Sequence, residues 1–441
     1  MTDQVAAIPI VRDVSKERRL LVSCFFGSTL EWYDFLIYGL LAPSVFNVLF
    51  FPQLNPTVGM IAVFGIFAIG FIARPLGGIV FGHYGDRVGR KPAMIVTLIM
   101  MGIATTGMGL LPTYEMAGLW APVALTVLRF LQGFALGGET VGGPLLAMES
   151  APSEKRGLYA AIVQSGAASG FALGALVALL VNMLPQQDML SWGWRLPFLA
   201  SVILIGIGLY IRTKVDEAKD YRLAARQEQP KEAPLVAVLK YAKKPILIIF
   251  LLELAASSVP YLITVFGLAY GLQTLHVDRS VMLTGIIIGN VLGIATNPLG
   301  GYISDRVGRR PMLCVAYIAC AIYVLFFFFP MLASGNSFLI AASMAVPAMV
   351  LQPMILSANG SFYGELFDDP RYRFTGASLG KQLGNVAGGG MIPMIAASIM
   401  AATGNIGFVS AYFCGLCVLG LFALSIAHET SHGALRRKSQ P

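Results

Sequence analysis

Seven charged residues stand inside long apolar runs of this 441-residue chain: Glu31, Asp34, Arg74, Arg129, Glu139, Glu253 and Lys381. A charge at the centre of a hydrocarbon layer costs at least about 2.5–3.5 kcal/mol, so such a group normally faces a polar cavity and a partner. Two kinds of chemistry follow. A buried carboxylate can take up and release a proton as its surroundings change. A buried guanidinium or ammonium can hold an anion. Glu31 and Asp34 are three residues apart and share one helix face with Gly27 and Tyr38. Depth along the helices sets Arg74 and Arg129 against that face, which predicts a carboxylate pair held by two arginines. Asp34 and Glu31 are therefore the proton-coupling candidates, with a static ion pair as the alternative. Arg129 and Lys381 are the candidates for anion binding. Arg74 is read as a structural counterion, and Lys381 alternatively as the salt-bridge partner of Glu253. Four neutral polar residues within apolar runs, Tyr38, Gln164, Tyr261 and Gln352, complete the expected cavity, because a buried hydroxyl or amide must find a hydrogen bond.

A second set of charges is repeated. Gly85-Asp86-Arg87-Val88-Gly89-Arg90-Lys91-Pro92 returns 219 residues later as Ser304-Asp305-Arg306-Val307-Gly308-Arg309-Arg310-Pro311. Each copy fills a short gap between two apolar stretches. A repeat of about half the chain predicts two equivalent membrane halves, the architecture of many secondary transporters. Asp86 and Arg90 are expected to join Glu139 in a charge cluster that latches one side. Asp305 and Arg309 would do the same in the second half, without an obvious acidic partner on the tenth helix. Arg87 and Arg306 accompany these latches, and setting topology is the simpler role for Arg87.

The elements that must position these residues are membrane helices. The chain is 56% hydrophobic and only 12% charged, against about 25% charged in soluble proteins. Twelve runs of about 20 or more mostly apolar residues are readable. They fall near 21–49, 57–82, 92–111, 119–147, 158–184, 195–212, 245–272, 280–301, 311–332, 337–363, 375–401 and 406–427. Lysines and arginines collect in the two tails and alternate loops, while only Arg195 and Arg279 fall in the opposite loops. By the positive-inside rule both termini are cytoplasmic. The net charge of +8 is thus a topology signal and not a nucleic-acid footprint. The first run is too long for a cleavable signal peptide and carries Glu31 and Asp34. The expected fold is an all-α membrane protein of twelve transmembrane helices in two pseudo-symmetric six-helix bundles. Residues 1–212 form the first bundle, 213–244 a polar cytoplasmic linker containing Pro230 and Pro234, and 245–441 the second bundle. Glycines four apart at Gly166, Gly170 and Gly174, at Gly285, Gly289 and Gly293, and from Gly376 to Gly388 mark smooth helix faces. They are read as the surfaces on which the two halves move. Cys414 and Cys417 lie within an apolar run and are read as packing. No HExxH, GxGxxG or Walker loop occurs, so no cofactor and no ATP drive are expected.

Several of these stretches resemble a known family. GHYGDRVGRKP and GYISDRVGRRP resemble the signature loops of the major facilitator superfamily, and Arg129-Phe130-Leu131-Gln132-Gly133 its helix-4 motif. Glu31-Trp32-Tyr33-Asp34-Phe35 with Tyr38-Gly39, Arg74-Pro75-Leu76-Gly77-Gly78, Gly137-Gly138-Glu139 and Trp192-Gly193-Trp194-Arg195-Leu196-Pro197-Phe198 resemble the metabolite:proton symporter family within it. One departure stands out: Thr140-Val141-Gly142-Gly143 follows Glu139, where that family has Trp-Gly-Gly. The resemblance covers almost the whole chain. It implies a monomeric carrier in a bacterial inner membrane whose partners are a small organic acid, protons and the lipid bilayer. Uptake of a carboxylate is expected. A proline or betaine symporter is the alternative, made less attractive by the short tail after the last helix, and a non-transporting receptor is a remote one.

Overall fold

The computed structural model describes residues 14–88, 90–137, 147–148, 151–214, 240, 242–367 and 369–431, and every regular element among them is helical. The first six principal helices are α1 (Val14–Leu41), α2 (Pro56–Val88), α3 (Arg90–Leu110), α4 (Trp120–Gly137), α5 (Arg156–Asn182) and α6 (Ser201–Lys214). The last six are α7 (Lys243–Tyr261), α8 (Arg279–Val307), α9 (Arg309–Tyr323), α10 (Ser337–Val346), α11 (Pro370–Asn385) and α12 (Ile406–Ile426). Five of the rods continue past a π-helical turn: α1 at Ala42–Phe46, α7 at Leu262–Gly267, α9 at Val324–Phe328, α10 at Pro347–Leu351 and α11 at Val386–Gly390. Eleven of the rods are long and apolar enough to cross a membrane, and the third contributes a shorter apolar stretch, Ile95–Leu110. Most of the expected linker, 215–239, lies outside the described residues.

Local chemistry sets the breaks. Asp278, Asn336 and Asn405 cap α8, α10 and α12 by accepting from Ser280 N, Phe338 N and Gly407 N at 2.7, 2.9 and 2.8 Å, each worth about 0.5–2 kcal/mol. Gly308 ends α8 at φ +113°, a conformation other residues avoid. That one residue turns the chain from α8 into α9 inside the second DRVGR copy.

The packing repeats as the sequence does. In the first half α1 lies on α5, α2 on α4 and α3 on α6; in the second, α7 lies on α11, α8 on α10 and α9 on α12. Between halves α5 meets α8 and the second segment of α10, Gln352–Glu365, while α2 meets α11. The glycine ladders do not chiefly serve the interface between halves, contrary to expectation. A side chain at Gly170 would meet Thr29 O of α1 at 2.6 Å, and one at Gly293 would meet Ala348 O at 2.8 Å. One at Gly380 would meet Ile246 O of α7 at 2.9 Å. Each ladder thus chiefly fastens helices within its own half, although a side chain at Gly293 would also meet Ala168 of α5 at 3.5 Å. Among glycines outside the ladders, Gly157 on Gly301 and Gly390 on Phe71 lie at close contacts between the halves.

Candidate functional site

The centre of the molecule is built where α1, α2, α4 and α7 converge. Gly70, Gly77, Gly133 and Gly137 bring α2 and α4 together backbone to backbone; a Cβ on any of them would collide with the facing chain or, at Gly70, with the Arg129 side chain. Arg74 and Arg129 are thereby brought to one ring, the side chain of Phe35. The Cζ atoms of Arg129 and Arg74 lie 3.9 and 4.0 Å from its centre. Arg74 also lies over Phe71 at 4.3 Å, and Arg129 over Tyr38 at 4.7 Å and Phe67 at 5.0 Å. Such contacts contribute up to about 2 kcal/mol each when desolvated. Tyr261 enters from α7 in the other half, with its ring 5.2 Å from Phe71 and 5.5 Å from Phe67. Arg129 is 0% exposed, and Arg74 and Tyr261 1%.

Aromatic faces neutralise part of this charge but leave its donors unused. Arg129 Nη1 donates to Phe35 O at 3.2 Å and to the Gln132 side chain. Its Nε and Nη2 and all three nitrogens of Arg74 make no well-formed hydrogen bond, and the Tyr261 hydroxyl, set against Arg74, makes none either. Tyr261 and Glu31 act electrostatically on Arg74, and Glu31 is itself buried at 6% exposure. Five cationic nitrogens and one hydroxyl, drawn from both halves, are thus buried together around the rings of Phe35 and Phe71. Buried donors in this state are costly, about 1–3 kcal/mol each and more for charged groups, and the arrangement is suited to a compact anion.

The expected carboxylate pair does not form as a pair. Asp34, 1% exposed, accepts from Ser201 Oγ of α6 at 2.5 Å, while its backbone oxygen accepts from Gln132 Nε2 at 2.9 Å. Its carboxylate is held inside the first half, away from either guanidinium, whereas Glu31 is the acid coupled to Arg74. Gln132, bonded to Arg129, Asp34 and Thr105, joins the anion donors to the Asp34 backbone.

The remaining candidates separate. The Tyr38 hydroxyl is committed to Val63 O at 3.1 Å, so Tyr38 presents only its ring to Arg129. Gln164 is buried on α5 against Gly360 across the interface. Gln352 is half-buried at the start of Gln352–Glu365. Lys381 lies in electrostatic range of Glu253, although Tyr363 makes the direct bond to that carboxylate at 2.5 Å.

At one end the second DRVGR copy forms the charge cluster expected of a latch. Arg309 pairs with Asp305 at 2.6 Å and with Glu365 at 3.4 Å. Glu365 closes the tenth rod, and so supplies the acidic partner that the sequence did not reveal. Asp305 then crosses to the other half, where Gly157 N and Leu158 N at the start of α5 donate to it at 2.9 and 3.0 Å. The segment after α12 braces the latch. Glu429 accepts from Arg309 N and Arg310 N, Thr430 donates to Glu365, and Ser431 donates to Asp305 O. Arg306 is exposed, lying over Tyr302 at 4.1 Å. Glu139, and the side chains of Asp86, Arg87 and Arg90, lie outside the described residues. At the opposite end Arg279 donates to Leu40 O at 3.2 Å and to Asn182 at 3.4 Å, and Asn182 donates to Ser280 at 3.1 Å. The halves are therefore bridged at both ends, with the arginine site enclosed between.

Two bundles with matching internal pairings, bridged at both ends over a charged centre, describe a carrier, and the family comparison agrees: the Major Facilitator Superfamily profile matches residues 24–378. The chain belongs to that superfamily. Relatives of this facilitator include the shikimate transporter of Escherichia coli (strain K12), 37% identical over 415 residues, which cover 92% of this chain and 93% of the relative. The proline/betaine transporter of the same organism is 30% identical over 437 residues, 96% of this chain and 86% of the relative. The crystal structure of a D-xylose-proton symporter shares the fold, with a TM-score of 0.73 at 19% identity over 94% of this chain and 99% of that one. The facilitator is a multi-pass membrane transporter of small metabolites and not an enzyme.

Among the residues gathered at the centre, Phe35 and Gln132 were not candidates from the sequence, although both stand inside the motifs quoted above. Glu365, Glu429 and Arg279 carried only the signal of a charge at the end of an apolar run.

Proposed function

We propose that this facilitator is a proton-coupled symporter that imports a small organic anion, a carboxylate, across the bacterial inner membrane. The halves 1–212 and 245–441 alternate access around the central site, with 213–244 as a cytoplasmic linker and both termini cytoplasmic. One observation carries this reading: five guanidinium nitrogens of Arg74 and Arg129 are buried without a well-formed hydrogen bond where the halves meet. A carboxylate would accept from both arginines and from Tyr261, joining α2 and α4 of one half to α7 of the other. Closure around the substrate is then favoured by the substrate's own bonds. Asp34 and Glu31 are the proton carriers in this reading, Glu31 because it shares Arg74 with the incoming anion. A zwitterion is the second reading, supported by the same Glu31, which could face an ammonium group while Arg74 faces its carboxylate. The test is uptake by proteoliposomes under an imposed pH gradient, with labelled shikimate, other organic acids, betaine and proline offered in parallel. Accumulation of an acid that collapses with a protonophore supports the first reading. Accumulation of betaine or proline in preference to every acid moves the chain to the second, and accumulation that follows Na⁺ and ignores pH removes proton coupling.

A further inference from the structure

The second half holds its own buried acid. Glu253 follows Asp34 by 219 residues, the separation of the two DRVGR copies. It stands on α7, which packs on α11 as α1 packs on α5. Both acids are enclosed, Asp34 at 1% and Glu253 at 6% exposure. Each accepts a hydrogen bond at 2.5 Å from a hydroxyl on another helix of its own half, Ser201 for Asp34 and Tyr363 for Glu253.

We propose that Glu253 is a second proton-binding site of this transporter, the counterpart in the second half of the Asp34 site in the first. The groups around it come from every helix packed there. Lys381 of α11 lies in electrostatic range, and Tyr363 donates from the tenth rod. Tyr317 of α9 donates to Leu252 O at 2.9 Å, with Cys417 of α12 beside it. Ser257 donates to the backbone oxygen of Glu253 at 2.6 Å. Asn359, 3% exposed, stands against the Tyr317 hydroxyl and makes no well-formed hydrogen bond with either amide atom. A loosely held amide beside a buried acid leaves room for hydrogen bonds to rearrange as the acid gains a proton. Lys381 is half-buried and is the most exposed member of the set.

The charge balance gives the proton its use. With Glu253 ionised, the carboxylate and the Lys381 ammonium cancel. A proton taken from solvent onto a Glu253 oxygen breaks no other bond and leaves the cluster at +1. A single negative charge entering the arginine site offsets that added positive charge, so proton and substrate each favour the other's occupancy. This coupling rests on the anionic-substrate reading; the proton site itself does not.

The test is infrared difference spectroscopy of the purified full chain in detergent, acidic minus alkaline, without substrate. Wild type should show C=O stretch components of protonated carboxylic acids. Asp34→Asn should remove one component and Glu253→Gln another, and the double variant should lose both. Tyr363→Phe keeps the carboxyl group but alters its hydrogen bond, so it should shift the frequency of the Glu253 component alone. It also serves if Glu253→Gln does not fold, as judged by circular dichroism. A Glu253→Gln spectrum identical to wild type, or a Tyr363→Phe spectrum without a shift, would show that Glu253 does not change its protonation and overturn the proposal. Proteoliposome uptake of labelled shikimate separates the two readings. If the Glu253 component is present while no organic acid is accumulated, the anionic-substrate reading fails and the proton site stands.

Discussion

Phe35 shows how one uncharged side chain can organise a charged site. Its ring carries both guanidiniums within 4.0 Å, so the positive charge is stabilised without using up hydrogen-bond donors. Arg129→Lys would keep the charge but lose the planar fork and the stacking. We expect weaker binding of the transported acid by about 1.5–3 kcal/mol, the range for a charged hydrogen bond, read as a raised KM in proteoliposome uptake; an unchanged KM would place Arg129 outside the substrate path. Asp34→Asn should abolish accumulation against a gradient while sparing counterflow exchange, and preserved accumulation would remove Asp34 from the proton path. The charges themselves were legible from the sequence, because a charge in an apolar run is conspicuous. Their partners were not. Glu31 and Asp34 are three residues apart, which at 3.6 residues per turn leaves them about 60° apart around α1. That angle is enough to turn Asp34 to Ser201 on α6 while Glu31 stays beside Arg74, and no spacing rule resolves it.

Helix pairs, rather than single helices, hold this site at its level. Gly133 and Gly70 let α4 and α2 touch through their backbones, and that contact sets Arg129 and Arg74 against the same ring. Gly133→Ala would force the pair apart, at a cost of about 1–3 kcal/mol for overpacking. A lower melting temperature together with weakened substrate binding is the expected result; a change in neither would show the contact to be slack. Glu429 plays the corresponding part at the latch, where it accepts from the first two amides of α9. Glu429→Gln removes the charge facing a helix N-terminus, worth about 0.3–1 kcal/mol, and should lower thermal stability modestly with the transport site unaltered. Hydropathy made the rods readable because every membrane helix must be apolar over its span. It did not disclose neighbours: the ladder at Gly166 and Gly170 announces a smooth face, yet only the fold shows that α1, and not the other half, covers it.

The whole molecule is a pair of bundles bridged at both ends of the α5–α8 pair. Arg279 and Asn182 meet at one end, and Asp305 and the start of α5 at the other. In the alternating access proposed above, one bridge must open while the other holds, so loosening either should bias the population. Asp305→Asn weakens the latch end, and we expect single cysteines introduced near Gly157 to label faster with a membrane-impermeant thiol reagent. Equal labelling rates would show that Asp305 does not govern opening. The bridge at that end has a further property. Asp305 is held by the backbone amides of Gly157 and Leu158, and every residue except proline carries such an amide. The latch is therefore encoded on one side only. Substitutions of the Leu158 side chain can drift without disturbing the bond, no compensating exchange with position 305 is needed, and paired sequence variation will not betray the contact. Loss of the lock by mutation must come through Asp305 and the groups that brace it, through a proline at the head of α5, or through a side chain at Gly157, where a Cβ would meet Asp305 at 2.7 Å.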